Sequence, residues 1–159
     1  MKTLYVTDLD GTLLRTDDTV SPFTINTVNG LVDKGMLFTY ATARSLVSAS
    51  VVTRGLSARI PVIAYNGAFI YNAETGIPLY SLFFTPEESA FIISLLQSFR
   101  LYPFVYSFQE GIERLSWMSG TENEGCFNYL RKRKGDPRLN PVSDEKRLYA
   151  CLLYTSPSP

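Results

Sequence analysis

Asp8-Leu9-Asp10-Gly11-Thr12-Leu13-Leu14 is the stretch that decides the fold, and it follows the short apolar run Leu4-Tyr5-Val6. The apolar run predicts a buried strand near the N-terminus. Side chains alternate between the two faces of a strand, so Asp8 and Asp10 are expected to point the same way where this strand ends. Gly11 then allows the backbone to turn sharply. The sequence therefore predicts a pair of carboxylates at the mouth of a sheet, which suits a metal ion and nucleophilic chemistry.

Two more apolar runs, residues 36–41 and 61–65, predict further strands with helices between them. Strands that are separated by helices favour a parallel sheet with right-handed crossovers. In such sheets, ligands bind beyond the carboxyl ends of the strands. Asp8, Thr42 and Asn66 each follow one of the three strands, so we expect them at the same edge of the sheet.

Capping residues set the expected limits of the helices between these strands. Ser21 before Pro22 predicts an N-cap and a first helical residue, and Gly35 predicts the end of that helix. A second helix is expected over residues 45–54. Its inward-facing side chains are expected to be Val47, Val51 and Val52.

The polar residues after the second and third strands also have purely structural interpretations. Thr42 has the residue type of a cap for the following helix. Arg44 has the position of a surface residue at the start of that helix, and Asn66-Gly67 is a frequent turn pair. These alternatives stay open at the level of the sequence.

From about Phe69 the pattern changes to that of an α+β module. Residues 69–71 and 79–82 predict a β-hairpin, and residues 104–107 predict a strand that pairs with residues 112–117. This second half of the chain is therefore expected to form its own small sheet with helices on it.

Two capping boxes predict helices in the second half. Thr85-Pro86-Glu87-Glu88 begins a helix, and Thr121 with Glu124 begins another that continues through Phe127 and Leu130. The expected inner face of the first of these helices consists of Phe91, Ile92, Leu95, Leu96 and Phe99. The basic run Arg131-Lys132-Arg133-Lys134 is expected to be a solvated helix end, since cations there favour the helix dipole, and recognition of an anionic substrate is the functional alternative.

Composition excludes several classes of protein. The 159 residues are 45% apolar with a formal net charge of zero, so the chain has a sufficient core and no basic field for nucleic acid. No apolar run is long enough to predict a membrane span, and the N-terminus has no signal-peptide pattern. The two cysteines predict no disulfide framework, so a cytoplasmic location is expected. The complete lack of histidine excludes phosphohistidine and Ser-His-Asp enzymes, and there is no P-loop motif.

Three stretches together resemble the haloacid dehalogenase (HAD) superfamily, and within it the Cof-type phosphatases of subfamily IIB: residues 8–14, Ala41-Thr42-Ala43-Arg44 and Asn66-Gly67-Ala68. The resemblance implies that Asp8 is a nucleophile that becomes an aspartyl phosphate and that Asp10 is the general acid and base. It implies a Mg²⁺ cofactor with Asp8 and Asp10 as its ligands. The phosphate and substrate contacts that it implies are Leu9, Gly11, Thr42, Ala43, Arg44, Asn66 and Gly67. Ala43 stands where the family has glycine.

The resemblance further implies an α/β fold with a partial Rossmann-like core, residues 1–80, and an inserted α+β cap domain, residues 81–152. The implied activity is Mg²⁺-dependent hydrolysis of a small phosphorylated metabolite, such as a sugar phosphate or a phosphorylated cofactor. A phosphomutase or another phosphotransferase of the same superfamily is an alternative, and so is a non-catalytic binding module that keeps the fold. The residue pattern does not name the substrate or the oligomeric state.

The chain is expected to be the N-terminal portion of such a protein and inactive alone. The family has a lysine and an acidic Gly-Asp loop after the cap, and the single Gly-Asp pair here, Gly135-Asp136, lies in the predicted cap. Residues 153–159 have no apolar period and are expected to be a tail that is foreign to the natural protein.

Overall fold

A computed structural model describes residues 2–109 and 112–153 of the chain. The chain divides into two compact units, of which the first ends at Leu82 and the second begins at Phe83. The interpretation of these units as a core and a cap stays a prediction. Of the predicted tail, Leu153 is the last residue of a helix, and residues 154–159 lie outside the described residues.

The first unit contains the parallel strands that the sequence predicts. β1 (Leu4–Thr7) pairs in parallel with β2 (Leu37–Tyr40), in a register that sets Leu4 opposite Leu37. β3 (Val62–Ala64) joins β2 through a parallel bridge between Ala41 and Ile63. The α/β class is therefore confirmed, and the carboxyl ends of the three strands lie side by side.

The hairpin predicted over residues 69–82 is present, but its assignment to the α+β module is wrong, because it joins β3 in the sheet of the first unit. β4 (Phe69–Tyr71) pairs antiparallel with β3 on one side and with β5 (Pro78–Ser81) on the other. Gly76 has a φ of +69°, a left-handed conformation that suits glycine in the turn between β4 and β5.

The first helix, α1 (Pro22–Asp33), begins and ends as its capping residues predict. The Ser21 side chain accepts a hydrogen bond from the Thr24 N–H at 3.0 Å, and Pro22 is the first helical residue. Gly35 has a φ of +95°, so the chain leaves the helix through a left-handed residue.

The second helix, α2 (Leu46–Val52), is shorter than predicted, and its predicted inner face is wrong. Ser45 caps it, but Val47 and Val51 are exposed while Ala49 and Thr53 are buried. Residues 45, 49 and 53 share one face of a helix, and small side chains there allow close packing. The hydroxyl of Thr53 donates to the Ala49 carbonyl, so this polar group is buried at little cost.

β1 was predicted to be buried, and this is also wrong. Leu4, Tyr5 and Val6 are 53%, 54% and 50% exposed. Among the described residues β1 pairs with β2 alone, so it is an edge strand with one open side. An edge strand with apolar side chains on both faces is prone to pair with another chain.

The second unit is an α+β module, as predicted. β6 (Val105–Gln109) and β7 (Ile112–Met118) pair antiparallel, and β8 (Leu139–Val142) pairs in parallel with β7. Three helices accompany this sheet: α3 (Pro86–Ser98), α4 (Glu124–Arg131) and α5 (Glu145–Leu153). The core consists of Val105, Val142, Leu148 and Tyr149, with Ile93, Leu96, Tyr102 and Met118 packed against it.

The capping box of α3 is confirmed, but its predicted apolar face is wrong in part, since Leu96 packs against the core while three other members of that face do not. The Thr85 hydroxyl accepts from the Glu88 N–H, and the Glu88 carboxylate accepts from the Thr85 N–H. Ile93 and Leu96 pack against the core and Ser89 is buried, whereas Phe91, Leu95 and Phe99 are exposed. Apolar residues lie around most of this helix, so their spacing alone does not identify the buried face.

The start of α4 also differs from the prediction. Asn123, not Thr121, is the N-cap, and its side chain accepts from the Cys126 N–H at 2.9 Å. The Thr121 hydroxyl donates to the carbonyl of Met118 and closes the turn after β7. Asparagine caps helices as well as threonine does, so the spacing of a capping box was misleading here.

The basic run at the end of α4 is a solvated helix end, as predicted. Arg131, Lys132 and Lys134 are exposed. The Arg133 guanidinium lies 3.5 Å from the centroid of the Tyr129 ring and donates to the Tyr129 carbonyl. Stacking on the ring covers the apolar faces of both groups. Within the described ranges, no helix is long and apolar enough to cross a membrane.

A nearly buried ion-pair cluster in the second unit had no signal in the sequence. Arg138, whose side chain is 9% exposed, donates to both oxygens of Asp136 and, at 3.0 Å, to Glu113. The Arg138 hydrogen bond lowers the pKa of Asp136. This cluster ties the chain before β8 to β7, because Glu113 lies on β7.

We expect Asp136→Asn to lower the unfolding free energy of the second unit by about 2 kcal/mol at neutral pH. The substitution removes one of the two carboxylates that neutralise the nearly buried Arg138 guanidinium. A depressed pKa in the folded state adds stability above the ordinary carboxyl range, and this stability is lost as pH falls through the folded pKa. The difference from the parent should therefore shrink in acid. Urea unfolding followed by the fluorescence of Trp117, the single tryptophan, measures it.

Asp144→Asn is the matched control, because Asp144 is exposed, its ion pair with Arg147 is 3.8 Å long, and asparagine can still accept from the Arg147 N–H as Asp144 Oδ1 does. It should cost less than about 0.5 kcal/mol. Equal losses for the two variants, or a loss for Asp136→Asn that does not depend on pH, would contradict the importance of the Arg138 cluster.

Candidate active site

The predicted nucleophile, Asp8, follows β1 directly and has an extended backbone. Its Oδ1 accepts a hydrogen bond from the Leu9 N–H at 2.7 Å, and its side chain is exposed. Leu9 is fully buried and anchors the loop, and the Leu14 N–H donates to the Leu9 carbonyl to close it. Gly11 has a φ of +72°, which is the left-handed conformation that the sharp turn requires. The loop thus holds the Asp8 carboxylate at the end of the strand.

The Asp10 carboxylate is held by Arg44, a contact that no sequence pattern predicted. Arg44 Nε donates to Asp10 Oδ2 at 2.9 Å, and Arg44 Nη2 donates to Asp10 Oδ1 at 2.6 Å. The same Nη2 lies 3.2 Å from Asp18 Oδ1. The Arg44 hydrogen bond lowers the pKa of Asp10, so this carboxyl group is ionised at neutral pH in the present arrangement. Proton donation by Asp10 therefore requires this contact to loosen.

Thr42 lies at the end of β2 and does not cap the next helix. Its hydroxyl accepts from the Arg44 N–H at 3.1 Å, and the cap of α2 is Ser45. Thr42 is 3% exposed, whereas Ala43 beside it is exposed. The capping alternative for Thr42 is therefore wrong. The Thr42 hydroxyl instead fixes the turn that carries Arg44.

Asn66 and Gly67 belong to a strained loop after β3. Tyr65, Asn66 and Gly67 have φ values of +51°, +56° and +94°, so three successive residues are left-handed. Glycine and asparagine tolerate this conformation, but for tyrosine it is rare and costs energy. The Asn66 N–H donates to the Thr42 carbonyl, and the Tyr65 N–H donates to the Arg44 carbonyl, both at 3.0 Å. The strain is thus held in place by bonds to the loop after β2.

Backbone contacts bring the loops after all three strands to one edge of the sheet. The Ala41 N–H donates to the Thr7 carbonyl at 2.8 Å, and the Thr42 N–H donates to the Ile63 carbonyl at 3.0 Å. Asp8 therefore follows the strand next to the one that carries Thr42. Sequence reasoning missed Asp18 and Ser48, which contact Arg44. Asp18 is a turn residue without a motif, and no sequence signal identifies it.

Of the two predicted metal ligands, only the Asp8 carboxylate is free to bind Mg²⁺ in this structure. Mg²⁺ is bound in proteins by one or two carboxylates with water and substrate phosphate. The exposed Asp8 carboxylate offers such a ligand, whereas both oxygens of Asp10 accept from Arg44. In the part of the chain that the structure describes, no three His, Cys, Asp or Glu side chains are grouped for a metal. A role of Asp10 as a metal ligand stays a prediction.

The model of the haloacid dehalogenase-like hydrolase family matches residues 5–157. The chain therefore belongs to the haloacid dehalogenase-like hydrolase family. The resemblance to the haloacid dehalogenase superfamily that the acidic motif suggested is thus confirmed, and the Cof-type branch, subfamily IIB, stays a prediction.

Relatives and solved structures cover different shares of the chain. The 5-amino-6-(5-phospho-D-ribitylamino)uracil phosphatase YitU of Bacillus subtilis is 35% identical over 71 residues, or 45% of this chain and 26% of the relative. The HMP-PP phosphatase of Yersinia pestis is 31% identical over 93 residues, which are 58% of this chain and 34% of that protein. The crystal structure of TM0651 from Thermotoga maritima matches with a TM-score of 0.70 at 26% identity, over 98% of this chain and 54% of that protein. The chain thus spans about half of the solved protein and a smaller share of the curated relatives.

Proposed function

We propose that these residues carry the nucleophile of a Mg²⁺-dependent phosphatase that acts on small phosphorylated metabolites. The observation that supports the proposal most is the position of Asp8. Its carboxylate is exposed at the end of β1, beside the bonded loops that carry Thr42 and Asn66. Two similar proteins, YitU of Bacillus subtilis and the HMP-PP phosphatase of Yersinia pestis, are named as phosphatases, which supports this activity. Their names concern small phosphorylated compounds, which supports the proposed substrate class.

In the proposed first step, an Asp8 oxygen attacks the substrate phosphorus, and the bond from phosphorus to the leaving oxygen breaks. The leaving oxygen takes a proton from Asp10, and the product is an aspartyl phosphate. In the second step, water attacks this phosphorus, Asp10 takes the proton of the water, and the Asp8 carboxylate is released with inorganic phosphate. Each step replaces one bond to phosphorus by another.

The other site residues position the transferring group and lower its charge. Phosphoryl transfer depends mainly on positioning and electrostatic stabilisation. The backbone N–H groups of the loop after Asp8, the Thr42 hydroxyl and the strained loop at Asn66 and Gly67 are the proposed contacts of the phosphoryl oxygens. Mg²⁺, when it is bound at Asp8, would offset negative charge between the carboxylate and the incoming phosphate.

The proposal is tested with a fusion protein. In this fusion, residues 1–153 are followed by the part of the Thermotoga maritima relative that lies beyond the matched region. Mg²⁺-dependent release of phosphate from a panel of small phosphate esters is expected. A folded fusion that hydrolyses none of them but still binds them would favour the non-catalytic module, and transfer to a second hydroxyl would favour the mutase.

We expect Asp10→Asn in the fusion to slow hydrolysis of alkyl phosphates by about 10²-fold and of aryl phosphates by less than about 10-fold. An alkyl alcohol is a poor leaving group and needs a proton, whereas an activated phenol leaves as an anion. Values of kcat for matched pairs of alkyl and aryl esters measure the difference. An equal loss on both kinds of substrate would count against the acid role of Asp10.

A further inference from the structure

Arg44 was expected to contact phosphate, but its side chain is already committed to protein groups. Its guanidinium donates to both oxygens of Asp10, to one oxygen of Asp18 and, at 3.4 Å, to the Ser48 hydroxyl. A guanidinium is a rigid planar fork that matches a carboxylate in this two-bond geometry. The Arg44 side chain is 20% exposed, and that of Asp10 is 50% exposed. An incoming phosphate would have to displace carboxylates to reach the same N–H groups.

Asp18 is set against Arg44 by a strained turn. It has a φ of +58°, a left-handed conformation that aspartate tolerates better than most residues. The Asp18 N–H donates to the Arg15 carbonyl, and the Arg15 N–H donates to the Thr19 carbonyl, so backbone bonds fix the turn on both sides. The neighbouring Asp17 carboxylate accepts from Thr19 and takes no part in the contact with Arg44. The turn thus presents one of two adjacent aspartates to the guanidinium.

The contacts of Arg44 come from three separate segments. Asp10 lies in the loop after β1, Asp18 in the turn before α1, and Ser48 on α2, while the Arg44 N–H is held by Thr42. A side chain that is fixed from several directions loses little further freedom when it orients a partner. Since Asp18 and Ser48 brace the guanidinium, its orientation does not depend on Asp10 alone.

We propose that Arg44 and Asp18 form a positioning pair that fixes the Asp10 carboxylate, and that Arg44 is not a ligand of the substrate phosphate. The inference rests on the proposed function, because Asp10 matters only if the site transfers a phosphoryl group. In this arrangement Asp18 fixes the direction of the guanidinium, and the guanidinium holds the ionised Asp10 carboxylate that is to accept the proton of the attacking water in the second step. Neither Arg44 nor Asp18 then touches the reacting atoms.

The Arg44 Nε–Hε signal in ¹H–¹⁵N NMR spectra of the 159-residue chain tests the pair. Arg44→Lys removes the signal and so assigns it. We expect slow exchange of this proton with water in the parent, a several-fold faster exchange in Asp18→Asn, and loss of protection in Asp10→Asn. Asp18→Gly, which keeps the left-handed turn, should behave as Asp18→Asn does. Asp17→Asn is the matched control and should leave the exchange rate unchanged.

Titration with inorganic phosphate in the presence of Mg²⁺ separates the two roles of Arg44. Once added phosphate has saturated the shifts of the Leu9 and Thr42 backbone amide signals, a positioning residue still keeps its Nε–Hε shift and exchange rate. A saturable shift of this signal, or an exchange rate that does not respond to Asp18→Asn and Asp18→Gly, would overturn the proposal. These results do not depend on whether Asp8 becomes phosphorylated, so failure of the positioning pair and failure of the phosphatase proposal are told apart.

Discussion

Asp8→Asn in the fusion protein is expected to lower phosphatase turnover by at least about 10³-fold, because removal of a nucleophile eliminates the covalent route. Asparagine has nearly the shape of aspartate, and its amide oxygen can still accept from the Leu9 N–H, as Asp8 Oδ1 does. The loop should therefore keep its conformation. Initial rates with an aryl phosphate and Mg²⁺, beside a thermal unfolding curve, measure both effects.

Asp33→Asn is the matched control for the loss of one carboxylate. Asp33 is the last residue of α1, is well exposed, and pairs with Arg59 at the surface. Its replacement should change turnover by less than about two-fold, since exposed ion pairs contribute little to stability. Turnover of Asp8→Asn near the parent level, with Asp33→Asn also unchanged, would remove Asp8 from the mechanism.

The second large effect is expected between the 159-residue chain and the fusion. We expect the chain alone to hydrolyse an aryl phosphate at least about 10³-fold more slowly, because Mg²⁺ normally needs more oxygen ligands than one exposed carboxylate supplies. The described residues of the chain hold no larger acidic group for a metal. The open edge of β1, with its half-exposed Leu4, Tyr5 and Val6, also predicts self-association of the chain alone.

Steady-state rates at equal protein concentration and light scattering during gel filtration check this second prediction. The fusion with Asp8→Asn sets the background rate that the chain alone should approach. A monomeric 159-residue chain with Mg²⁺-dependent turnover close to that of the fusion would contradict it. Such a result would mean that the described residues suffice for the metal site and that the open edge of β1 does not cause the chain to self-associate.

The sequence predicted those features of the fold that have a local signal. The apolar runs predicted β1, β2 and β3. The polar residues after them predicted the edge of the sheet where the site lies, because parallel strands end on the same side of a sheet. Ser21 and Thr85 gave helix starts, because capping chemistry acts within one turn.

Features that depend on distant partners could not be predicted. Arg44 and Asp10 are 34 residues apart, and an ion pair of this kind leaves no periodic trace in a sequence. The buried faces of α2 and α3 were missed, since their small residues Ala49 and Ser89 pack inward while larger apolar residues stay exposed. The exposure of β1 was missed because an apolar strand has the same pattern at the edge of a sheet as at its centre.

Trapping of the phosphorylated intermediate tests the central claim most directly. The fusion is mixed with substrate and Mg²⁺, quenched in acid within the first turnovers, digested, and analysed by mass spectrometry. We predict one added phosphoryl group on the peptide that contains residues 4–14, assigned to Asp8 by fragmentation and absent from the Asp8→Asn variant. Turnover without any phosphorylated peptide, or with the phosphoryl group on a residue other than Asp8, would contradict the account.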